Sequence, residues 1–154
     1  SESFVWNGRR TATALPVVTS VAPGTTSIGS ATNAAPTVVS SLNVVCPASG
    51  TTVVSASGES AAKSNFGGNA FIGLAYSIAR DSTATDNGNV VQSSALAAFN
   101  GDANRDFLNV ERADNCTPGQ TSTYYLTAYA TTPQTDIANG SFVWNGRLVA
   151  ILPP

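Results

Sequence analysis

The chain has no histidine and no methionine, a single lysine (Lys63), and charged side chains at only 10% of its 154 positions. Each shortage excludes something. Without histidine the commonest general base and metal-ligating nitrogen is missing. A serine or cysteine nucleophile would need another base, and Lys63 lies in a polar stretch, so enzymatic activity is not expected. Seven Lys and Arg against nine Asp and Glu give a net charge of −2 and no basic run. Phosphate binding needs clustered cations, so no nucleic-acid partner is expected. No apolar run reaches the roughly 20 residues of a membrane span. Ordinary soluble domains carry roughly 25% charged residues; here Ser, Thr, Asn, Gln, Ala and Gly must cover the surface. That suits an exposed, protease-facing protein. The lack of Met even at position 1 reads as a processed product with its leader removed. A secreted, cell-surface location is the expectation.

There are two cysteines, Cys46 and Cys116, and they form no CxxC pair. In a secreted β domain they read as one disulfide, the alternative being two buried thiols.

What the chain does have is a repeated string. Residues 3–9, Ser-Phe-Val-Trp-Asn-Gly-Arg, recur as residues 141–147, and both tryptophans lie in the copies. The spacing (141 − 3 = 138) is close to one domain length. Residues 10, 11 and 13 are Arg, Thr and Thr where the second copy has Leu148, Val149 and Ile151, so the first copy ends in a more polar half.

Between the copies the pattern is that of strands. Residues 17–36 are rich in Ser, Thr, Ala, Gly and Pro and read as a linker or an edge segment. Runs at 38–46 and 51–57, joined by Pro-Ala-Ser-Gly, predict a hairpin with a four-residue loop. Residues 58–68 and 81–89 read as polar loops around a long apolar strand at 70–79. A strand or short helix is expected across 90–99, a short strand at 107–110, and an alternating strand at 121–130. No segment sustains a 3.6-residue period. The fold expected is all-β: an antiparallel β-sandwich over 37–154, jelly-roll or immunoglobulin-like, with 1–16 as an N-terminal strand extension.

The second copy reads as a continuous closing strand with Phe142, Trp144, Gly146, Leu148, Ala150 and Leu152 on one apolar face. The competing reading is local: Asn-Gly is a strong two-residue hairpin signal.

Two other constellations could carry chemistry. Asn100, Asp102, Asn104 and Asp106 alternate, with Glu111 at position 12, a ligand spacing that resembles an EF-hand calcium loop. Arg105 stands where that loop needs glycine, and the flanks look like strands. Calcium is the one cofactor the sequence suggests; an Asx-rich turn is the plainer reading. Tyr124, Tyr125 and Tyr129 share a strand and, with the tryptophans, could make a carbohydrate-binding surface, although strand aromatics are usually core or interface. Asn115 and Asn139 head short glycosylation-type motifs.

Three explanations of the repeat compete. The first copy could be a donor strand that leaves its domain through 17–36 and joins a neighbour's sheet, beside or in place of the equivalent strand. It could end a preceding domain of a tandem array. Or both copies could pair in one domain as first and last strands. The first explanation is preferred. The N-terminal extension, linker, sandwich and low charge then resemble secreted pilus and fibre subunits assembled by donor-strand exchange. That resemblance implies a homopolymer whose subunit contacts run through Phe4, Val5, Trp6, Asn7 and Arg9 against the environment of Phe142 and Trp144. The third explanation suits a trimeric jelly roll of the tumour-necrosis-factor or phage-fibre-tip type, an adhesion module with glycans as possible partners.

Overall fold

A computed structural model of the chain describes residues 15–22, 24–28, 31–62, 70–84, 90–98, 104–131 and 142–154. Among the described residues nine strands run in order: β1 (Val17–Val21), β2 (Thr25–Ser27), β3 (Thr37–Val45), β4 (Thr51–Ala62), β5 (Ala70–Arg80), β6 (Val90–Ala98), β7 (Asn104–Asn115), β8 (Thr121–Ala130) and β9 (Phe142–Ile151). One sheet has the order β1-β9-β4-β7, with β2 also on β9, and the other has β3-β8-β5-β6. All pairs are antiparallel.

The pairing is nested. β1 and β2 together pair β9, β3 pairs β8, β4 pairs β7 and β5 pairs β6. A long hairpin folded over itself into two facing sheets is a jelly roll, so of the two sandwiches expected this is the one formed.

Alternation explains most strands. In β8 the residues Tyr124, Leu126 and Ala128 point inward and are fully buried, opposite Val54, Ala56, Leu148 and Ala150 of the facing sheet. β5 is buried on both faces from Leu74 to Ala79, which is why it reads as an unbroken apolar run rather than an alternating one.

Several expectations need correction. β3 and β4 do not form a hairpin; they lie in different sheets. Residues 47–50 arch between the sheets beside the second arch, 117–120. Gly119 N–H donates to the Cys46 carbonyl (3.0 Å) and Cys116 N–H to the Gly50 carbonyl (2.8 Å). A four-residue polar turn looks alike in sequence whether it reverses a chain within a sheet or carries it to the facing one. The expected loop at 58–68 is strand as far as Ala62, the stretch 90–98 is strand rather than helix, and the short strand at 107–110 extends to twelve residues. Long-range pairing extended these polar segments where local propensity did not. Residues 17–27 are edge strands of the sandwich, so its described part begins well before residue 37.

Cys46 and Cys116 form the disulfide, with Cα atoms 5.9 Å apart and a sequence separation of 70. It links the end of β3 to the end of β7, and so joins the two sheets across both arches. Closing a loop of that length stabilises by about 3–4 kcal/mol. Substituting both cysteines by serine should lower the unfolding free energy by about that amount, read from urea denaturation. A loss below about 1 kcal/mol would show that the paired arches already hold the two sheets.

Candidate functional site

β9 carries the second copy of the repeat, and its course is set by Asn145 and Gly146. Asn145 has φ of 49°, a conformation that asparagine tolerates better than most residues. Its backbone N–H donates to the Gly24 carbonyl (3.0 Å), and its Oδ1 accepts from the Gly24 N–H (3.3 Å). Ala22 N–H donates to the Gly146 carbonyl (2.9 Å). Asn145 therefore fills the gap between β1 and β2. Gly146 is needed for a different reason. A Cβ there would overlap Val39 Cγ1 of the facing sheet and sit 3.4 Å from Leu126.

The strand is continuous, yet Asn-Gly is a β-bulge in it. The β4–β9 register shifts between Ser57 and Glu59. The core residues of β9 are Val143, Leu148 and Ala150, with Gly146 buried beside them. From Val143 to Gly146 is three residues, so the two-residue alternation changes frame. This corrects the expected single face: the inward positions are 143, 146, 148 and 150, not every second residue through Gly146.

Both sides of the second copy are occupied. Trp144 stands opposite Thr25 of β2 and Glu59 of β4, and Val143 opposite Thr26 and Ser60. The first strand beside β9 is thus residues 17–27, which corrects the idea that the two copies pair with each other in one sheet. Residues 1–14 lie outside the described residues, and with them Phe4, Val5, Trp6, Asn7 and Arg9.

Alignment of the copies places Arg10 where β9 has Leu148. Leu148 is 0% exposed. An unpaired guanidinium there would cost several kcal/mol, so the first copy matches the β9 position only as far as Arg9.

The outward face of the β1-β9-β4-β7 sheet is a set of rows. Val17, Ile151, Val53 and Ala113 make one, Thr19, Val149, Ser55 and Glu111 the next, then Val21, Arg147, Ser57 and Asn109. The following row includes Thr25, Glu59 and Phe107, with Glu59 opposite Phe107. Phe107 is 78% exposed and Val17 53%. Sequence reading missed Phe107 and Glu59 because the extent of β7 and the bulge in β9 decide which row they join.

Most of the remaining described charge sits at the disulfide end. Arg80 of β5 donates to the Asn115 carbonyl of β7 (2.9 Å), and Arg112 of β7 donates to the Ile78 carbonyl of β5 (2.9 Å). The two arginines thus cross between the sheets in opposite directions. Asp114 pairs Arg112 at 2.6 Å. Asp81 accepts from the Thr123 N–H (2.8 Å) and the Ser122 hydroxyl (3.1 Å), with Arg80 at 3.3 Å. Beneath them Tyr124 shares a 2.8 Å hydrogen bond with Thr52 of the facing sheet, and burial pushes its hydroxyl above the ordinary 10.0. Tyr124 is therefore core and offers nothing to a glycan.

Asn104, Asp106 and Glu111 lie along the extended strand β7, opposite Ala62, Ser60 and Ser55. Seven residues of strand separate Asn104 from Glu111 by roughly 23 Å, too far to share one ion. Asn104 and Glu111 therefore do not combine in one EF-hand-like ligand set. Asn100 and Asp102 lie outside the described residues. Among the described residues no helix is long and apolar enough to cross a membrane.

No protein-family model matches the chain, and no curated protein does. Solved structures with a partial likeness come from infectious bursal disease virus. The VP2 subviral particle is 16% identical with a TM-score of 0.46, the T13 viral particle 16% identical at 0.48, and the Gx strain 14% identical at 0.48. Each match covers 99% of this chain but only 37%, 35% and 36% of the other, so the chain spans about a third of the length of those proteins. The jelly-roll assignment rests on the strand pairing above.

The hydrogen bonds to Asp81, led by that from the Thr123 N–H, hold its carboxyl below the ordinary 3.8. A depressed folded-state value stabilises the fold above the unfolded value, and that contribution is lost as pH falls through the folded one. Asp81→Asn should therefore be less stable than the parent at neutral pH, with the gap constant down to about pH 5 and closing below 3.8. Thermal melts at a series of pH values read this directly; a gap that widens in acid would contradict the assignment.

Proposed function

We propose that this chain is a structural subunit of an extracellular filament, assembled from copies of itself through its N-terminal segment. The observation that carries the reading is the pairing of the second repeat copy. With β2 on one side of it and β4 on the other, β9 has both its neighbours among the described residues. An identical segment with no place beside β9 at home is available to a neighbour. Low charge and the Cys46–Cys116 disulfide suit an oxidising, extracellular setting.

Strand addition in this molecule would use an open sheet edge rather than the β9 position. The Arg10–Leu148 mismatch argues against replacement, and β2 and β4 leave no room beside β9. Head-to-tail addition at an edge does not close on itself and so propagates. The contact residues proposed are Phe4, Val5, Trp6, Asn7 and Arg9.

A second reading is a glycan-binding or trimeric fibre-tip module. It draws on Phe107, exposed beside Glu59 on the outward sheet face. An aromatic platform next to a carboxylate is a usual sugar-binding surface, and a glycan array would detect it.

Removing residues 1–16 should leave a folded domain that forms no filaments, while the full chain forms filaments in negative-stain micrographs. Persistent filaments after truncation would sink strand addition. Failure to fold would assign the segment to its own domain instead. Closed particles in the same micrographs would redirect the reading from filament to shell.

A further inference from the structure

We propose that the outward face of the β1-β9-β4-β7 sheet is a two-fold contact with a second copy of this chain, with Arg147 and Glu111 pairing reciprocally across it. The choice of occupant rests on the self-assembly reading; the geometry comes from the strand register alone. Arg147 and Glu111 are both exposed on this face, and neither has an ion-pair partner among the described residues. Unpaired opposite charges are notable in a chain with so few charges.

Their positions make the face self-complementary. Arg147 stands opposite Ser57, and Glu111 opposite Ser55, on either side of β4. Strand spacing and rise place the two charges about 12 Å apart, with the midpoint on β4 between the serines. A two-fold axis lying in the face and crossing that midpoint at right angles to the line joining them brings each arginine over the partner's glutamate. Ser55 and Ser57 then lie beneath the axis, where small side chains allow two sheets to approach to about 10 Å.

The same axis runs diagonally over the face. In one direction it passes within about 2 Å of the positions of Ile151 and Val17, in the other within about 2 Å of Phe107, on flat-ladder spacings. Val17 and Phe107 are among the exposed large apolar residues of the domain. Each would pack on its own equivalent, as isologous contacts require. One operation thus pairs the charges and covers the apolar ends of the diagonal.

The test uses the full chain and its charge-swap variants in sedimentation equilibrium at low and moderate salt, with circular dichroism to confirm folding. Arg147→Glu and Glu111→Arg should each weaken pairing of two copies at least tenfold. The double variant, Arg147→Glu with Glu111→Arg, should restore it, because both contacts are rebuilt with reversed sign. Weaker pairing of the parent at higher salt is also expected. A parent chain that shows no pairing, or a double variant as weak as the singles, overturns the proposal. Filaments that need residues 1–16 but are unchanged by Arg147→Glu would also overturn it and leave strand addition standing. Pairing that obeys the charge swap and survives removal of 1–16 supports it; loss of filaments on the same truncation separately tests strand addition.

Discussion

No side chain fits where Gly146 meets Val39. That close approach fixes how β9 crosses the facing sheet, and much else follows from it. The strand must present a residue without Cβ to Val39, then resume alternation with Leu148 and Ala150 inward. It reaches that point from Val143, also inward, by spending one extra residue, Asn145, in a left-handed conformation. The edge responds in kind, since β1 and β2 break opposite the bulge and Gly24 takes up both hydrogen-bonding groups of Asn145. Asn and Gly thus occupy neighbouring positions for unrelated reasons, one for its backbone and side-chain amide, the other for its lack of bulk.

The domain spends its few charges unevenly. Arg80 and Arg112 cap the disulfide end, each reaching a main-chain carbonyl of the other's strand. There a guanidinium satisfies backbone groups at the rim of the sandwich and is itself met by Asp81 or Asp114. With the covalent link and the hydrogen-bonded arches, that end is the most heavily cross-linked part of the described fold. The outward face of the β1-β9-β4-β7 sheet keeps Glu59, Glu111 and Arg147 among mostly small and apolar residues.

How much of this was legible in the sequence depended on range. The all-β class, the disulfide and the inward face of β8 follow from alternation and from two cysteines in an otherwise loop-punctuated chain. The partner of each strand did not. Pro47 to Gly50 is turn-like whichever sheet comes next, and only the nested pairing shows that it is an arch. Residues 17–27 carry too little apolar pattern to announce two edge strands, because an edge needs only backbone groups and one half-covered face. The candidate site was harder still. A shift of one residue at Asn145 moves a strand's side chains between faces, and nothing local to Trp144 reveals it. The run ending at Glu111 reads locally as a loop, and only long-range pairing with β4 puts its part from Asn104 onward in an extended strand.

Pro16 and Leu152 lie side by side, joined by a 3.0 Å hydrogen bond from the Leu152 N–H to the Pro16 carbonyl, so the chain comes into β1 at the corner where it leaves β9. The direction of a pulling force at that corner matters. Tension applied through these two points would load the β1–β9 ladder one hydrogen bond at a time, as a zipper opens, instead of sharing the load among all of them as sliding strands do. The disulfide lies outside that ladder and would not carry the first part of the load. Mechanically, then, the edge is the soft element of the sandwich: under tension β1 would peel away first, while β4 and β7, bridged to the facing sheet through Cys116, would stay together.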